Sequence, residues 1–90
     1  MFTLVEPFSA EQIIKKSLFI THAAPISTAQ EALDFFATKH QPEATHNCWA
    51  FKLEQSYRFN DDGEPGGTAG RPILQAIEGQ ELVNVAVLVI

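Results

Sequence analysis

An α+β domain is the fold class this sequence predicts, and three features predict it. An apolar stripe at helical spacing occupies residues 29–37, period-two alternation marks residues 45–53, and residues 83–90 are almost wholly apolar and β-branched. Strand patterns therefore stand on both sides of a helical one, an order that lays helices against a sheet. Ninety residues make one small domain, which buries roughly 60–65% of the surface its unfolded chain exposes. Hydrophobic residues at 46% and seven phenylalanines supply a core and argue against disorder. The net charge of −5 argues against a broad footprint on nucleic acid or an anionic membrane, because few cations are left over to meet phosphates. Cys48 is the only cysteine, which excludes an internal disulfide and a multi-cysteine zinc site and fits a reducing, cytoplasmic setting. No apolar run approaches the ~20 residues of a membrane span, and the early acid and proline make a signal peptide unexpected.

Taken in order, residues 2–8 read as a first strand that lies at an edge of the sheet or ends at Pro7. Residues 10–16 fit either a strand or a helix capped by Ser9, and residues 17–24 read as a second strand closed by Pro25. Ser27 or Thr28, each three residues before Gln30 or Glu31, forms a capping box for the helix whose stripe is Ala29, Ala32, Leu33, Phe36 and Ala37. Glu31 and Asp34 near its start and Lys39 and His40 near its end suit the helix dipole, and Pro42 stops it. From Thr45 to Leu53 a strand returns. Asn47, Trp49, Phe51 and Leu53 form its core face, and His46, Cys48, Ala50 and Lys52 point the other way. A turn at Gln55-Ser56 sends Tyr57–Phe59 back antiparallel. A glycine-rich loop then leads to a short helix with Pro72 at its first position, Ile73, Leu74 and Ile77 as its stripe and Gly79 as its end. The final run, Val83–Ile90, reads as a central strand buried on both faces. Because termini usually lie at the surface, this ending suggests either a longer protein or a homo-oligomer in which another copy shields the strand.

Several blocks carry a specific resemblance. They are Lys15-Lys16-Ser17-x-Phe19-Ile20, Ala44-Thr45-His46-Asn47-Cys48-Trp49-Ala50, Asp61-Asp62-Gly63-Glu64-Pro65, Thr68-Ala69-Gly70-Arg71-Pro72-Ile73-Leu74 and Asn84-Val85. In this order they resemble the IMPACT family over about residues 12–90. The resemblance implies an N-terminal domain like domain 2 of ribosomal protein S5, a two-layer mixed β-sheet with helices on one face. It implies that members continue past the equivalent of Ile90 with an Arg-Tyr-Phe-Gly-Gly block and another helix, and in many bacteria with a second domain. Gly66 stands where the family more often has Ser or Ala. The implied role is regulatory: eukaryotic members regulate translation initiation by competing with a starvation-responsive kinase for its activator, and bacterial members are linked to nucleic acid or ribosomes by fold likeness alone.

The candidate chemistry centres on the glycine-rich loop. Asp61, Asp62 and Glu64 offer oxygen ligands for a hard cation, but their spacing is not that of a calcium loop, and Asp-Gly is a common turn pair. No metal or other cofactor is expected. Gly66-Gly67-Thr68-Ala69-Gly70-Arg71 runs into a helix N-terminus, where free N–H groups and a cation suit an anionic ligand. The plainer reading is that Thr68 or Gly70 caps the helix. His46 and Cys48 share a strand face two residues apart, which is awkward for a thiol and its base, and Trp49, Phe51 and Phe59 read as core. Lys15, Lys16, Arg58 and Arg71 on one surface would mark an RNA-binding domain. A binding or regulatory module working through protein or ribosome contacts is the expected function. An RNA-binding domain and an enzyme with a phosphate or metal site at the loop are the alternatives.

Overall fold

The computed structural model describes residues 1–63 and 69–90. Its elements follow the order β1 (Phe8–Ile14), β2 (Ser17–Pro25), α1 (Ala29–Lys39), β3 (Cys48–Lys52), β4 (Tyr57–Asn60), α2 (Gly70–Gly79) and β5 (Val85–Val89). The strands form one sheet, ordered β1-β2-β5-β3-β4, in which every neighbour pairs antiparallel. The fold is α+β, as expected. It departs from the expected arrangement in two respects. Among the described residues the parallel component is the isolated bridge of Phe2 to Leu82, and the two helices cover opposite faces of the sheet.

Strand register explains the three layers. Trp49 lies opposite Leu88 and Phe51 opposite Ala86, and these side chains pack with Ala32 and Phe36 of α1. The alternate set, Ala50 with Val85 and Val87, packs with Leu74 and Ile77 of α2. The β3 face expected to point outward is thus a second interior, with Cys48 5% and Ala50 0% exposed. A short strand carrying large side chains on one face and small ones on the other accepts a helix on each. The centre of the sheet is β5, paired on both edges and covered on both faces, which accounts for its unbroken apolar run. Its cover is α1 and α2 of the same chain, so its burial does not depend on another copy.

The N-terminal region differs most from the sequence expectation. The first strand spans Phe8–Ile14, not residues 2–8, which settles residues 10–14 as strand and leaves 15 and 16 to a turn. Pro7 lacks an N–H for a ladder, and the segment before it is tied down by the Phe2 bridge, by Thr3 Oγ1 donating to the Asn84 carbonyl at 3.3 Å, and by Leu4 packing beside α2. Lys15 and Lys16, with φ of 51° and 70°, form the two-residue turn between β1 and β2, with the positive φ values that match strand twist. Half of the expected capping box is present at α1: Thr28 Oγ1 accepts from the Glu31 N–H at 3.1 Å, whereas Glu31 Oε1 reaches one residue past the cap and accepts from the Ser27 N–H at 2.5 Å. Helix α2 begins at Gly70, so Pro72 sits at the third helical position instead of the first. That is still within the turn whose N–H groups have no helical partner.

Candidate functional site: one end of the sheet

Register brings the separate sequence blocks together. Thr21, Val89 and Cys48 lie side by side across β2, β5 and β3, and Asn60 on β4 stands beside Trp49. The start of β2, the end of β5, the start of β3, the end of β4 and the start of α2 therefore share one end of the sheet.

At that end the acidic loop is held by hydrogen bonds. Asp61 Oδ1 accepts from the N–H groups of Ala69, at 3.0 Å, and Gly70, at 2.6 Å. The cap of α2 is thus a carboxylate eight residues upstream, where sequence reasoning placed Thr68 or Gly70. The same carboxylate stands where an anionic ligand was expected, so an external anion would have to displace it from these two donors. Gly70 has a different duty: a Cβ there would lie 2.6 Å from the Asn60 carbonyl oxygen, so only glycine lets α2 start against β4. Asn60 Oδ1 accepts from the Asp62 N–H at 2.6 Å, a side-chain turn that helps hold Asp62 at φ 46°.

The His-Asn-Cys block answers from β3. Asp62 Oδ2 accepts from the Asn47 N–H at 2.5 Å, and the Asp62 carbonyl lies 2.6 Å from His46 Nδ1, which must donate. Cys48 Sγ donates to the Asp61 carbonyl at 3.3 Å. Asn47, 5% exposed, exchanges two 2.9 Å bonds with the backbone of Gln41 and so closes the loop after α1. Asp61, Asp62, His46, Cys48 and Gly70 thus form one connected network. Glu64 and Thr68, with the loop glycines 66 and 67, lie outside the described residues. Among the described residues no group of three His, Cys, Asp or Glu is placed to hold a metal ion.

Beside the network, where α2 leaves β2 and β5 uncovered, is a cleft of about 640 Å³. Ser17–Ile20 of β2, Gln41 and Glu43–His46 with Cys48, Ala69 and Ile73 of α2, and Val89–Ile90 line it. Of these residues His46 and Cys48 were site candidates from sequence, whereas Gln41, Glu43, Thr45 and Ile73 were not. The available signal was their position within or next to the quoted blocks. Lys15 and Lys16 adjoin the cleft through the turn into Ser17. The other cations do not join them. Arg58 lies over Trp49, 5.9 Å from the ring centroid, on β4 at the opposite edge of the sheet, and Arg71 lies over Phe59 at 5.9 Å.

A family model described as the Impact N-terminal domain matches residues 15–90. The chain belongs to the IMPACT family. It is 50% identical over 78 residues to a Thermus thermophilus protein described as "IMPACT family member in pol 5'region", covering 87% of this chain and 43% of that protein. Bacillus subtilis YvyE, an IMPACT family member, is 40% identical over 93 residues, covering 98% and 43%. Escherichia coli YigZ is 34% identical over 92 residues, covering 93% and 45%. A solved structure described as "Crystal structure of an hypothetical protein" superposes with a TM-score of 0.87 at 34% identity, covering 94% of this chain and 45% of that one. This IMPACT domain thus spans less than half the length of the curated relatives it matches. No helix among its described residues is long and apolar enough to cross a membrane.

Proposed function

We propose that this IMPACT domain is a cytoplasmic binding module that regulates translation or the stress response, and that it holds a protein partner or a ribosomal surface in the cleft at the network end of the sheet. The observation that carries this reading is the convergence of four separated chain segments on one cleft. Phe19, Ile73 and Val89 give it apolar walls and Ser17, Thr45 and His46 a polar rim, the mixture that recognition sites use. The Asp61 and Asp62 bonds tie the end of β4 to the start of α2 and to the start of β3 beside it. Engagement of the Cys48 thiol and of His46 Nδ1 by backbone carbonyls favours binding over thiol catalysis. Affinity capture from cell lysate with the wild-type protein and with Ile73→Glu tests this. A component of the translation apparatus is expected with the wild type and lost with the variant. Recovery of the same set by both proteins would remove the cleft from consideration.

A further inference from the structure

The first strand is the most exposed of the five strands. All seven residues of β1 are exposed, and its outer edge has no backbone partner among the described residues. Edges of monomeric proteins are usually blunted by brevity, proline, a bulge or several charges. Here the ladder to β2 runs without a bulge from Phe8 to Ile14, and Glu11 is the strand's one charge. Phe8, Ile13 and Ile14 are 57%, 73% and 46% exposed. The opposite edge, β4, has four residues.

We propose that β1 pairs antiparallel with β1 of a second copy of this chain, joining two five-stranded sheets across a two-fold axis at Glu11. A two-fold interface must be self-complementary, and the charge order along this segment is: Glu6 precedes the strand and Lys15-Lys16 follows it. Antiparallel alignment centred on Glu11 brings the Glu6 end of each copy beside Lys16 of the other. It sets Phe8 opposite Ile14 twice on the face that carries α2, and Ile13 opposite Ser9 on the face that carries α1. The alignment keeps even and odd positions on matching faces, as the pleat requires. A foreign peptide would need the same acid-to-base polarity to fit as well, which this chain already has. The one unfavourable contact is Glu11 against Glu11. A single strand edge is small beside the ~1,200–2,000 Å² of a stable interface, so the association depends on concentration.

Sedimentation across a concentration series tests the pairing, with circular dichroism confirming that each variant is folded. Lys16→Glu alone and Glu6→Lys alone should each weaken dimerisation about tenfold, and the two together in one chain should restore it. Glu11→Gln, a mild surface change, should tighten it about two- to fivefold. A wild-type monomer up to about 1 mM, a dimer unmoved by the charge reversals, or no recovery in the double variant overturns the proposal.

Discussion

Asp61 holds the start of α2, because one carboxylate oxygen satisfies two N–H groups there. Removing it leaves both donors without their acceptor and without the negative charge favoured at a helix N-terminus. Asp61→Ala is expected to lower the unfolding free energy by about 1–2 kcal/mol. Asp61→Asn, which keeps an acceptor, should lose less. Urea titration of the two variants measures the difference, and equal losses would mean that the geometry at Oδ1 is not what stabilises the helix. His22 supplies a second effect at this scale. Burial, and then Lys39, lowers its pKa from 6.5, and Ser9 Oγ lies 2.7 Å from its Nδ1. The unfolded chain therefore takes up the proton at a higher pH than the folded one. Stability contributed by neutral His22 is complete above pH 6.5 and is lost as pH falls through the lower folded value. Replacing His22 with Gln should flatten that part of the pH–stability curve; an unchanged slope would assign the decline to other groups.

Individual elements reveal which local rules held. Helix α1 follows its sequence closely because its cap, stripe and stop are all contained within the segment. The β1–β2 turn does not: two lysines adopt positive φ where Asn-Gly would do so without strain. Lys15→Asn with Lys16→Gly is expected to stabilise the fold by about 1 kcal/mol, read as a rise in the urea midpoint. A fall would show that the lysine side chains contribute more than their backbone geometry costs. Helix α2 could not be capped correctly from its own sequence, since its cap comes from Asp61 across the loop. Long-range partners of this kind leave no periodic signature.

At the scale of the whole molecule, β5 and β3 form the axis on which both helices depend. Phe51, 1% exposed, reaches the α1 side together with Ala86 and Leu88, while Ala50 admits α2 on the other side. Phe51→Ala should cost about 3–5 kcal/mol, a large share of what a domain of this size has to spare. Loss of cooperative thermal unfolding in the variant is the expected outcome. A loss below about 1 kcal/mol would mean that the core collapses around the vacancy. The same three-layer arrangement leaves β1 and β2 projecting beyond both helices. It is thus the source both of the cleft and of the open edge.

Much of the fold was legible in the residues themselves. Helix α1, strands β2 to β4, the central burial of β5 and the family blocks all followed from patterns confined to neighbouring positions, because capping and side-chain alternation act over a few residues. The tertiary structure alone decided which face each helix covers, that β1 begins at Phe8, and that the face of β3 carrying Cys48 is interior. It also decided the partners of Asp61 and Asp62, which composition alone reads as part of a ligand cradle. Asp61 and Asp62 accept from backbone N–H groups at the start of α2 and next to β3. That choice depends on backbone N–H groups brought within 3 Å by strand register, and register is a property of the assembled sheet.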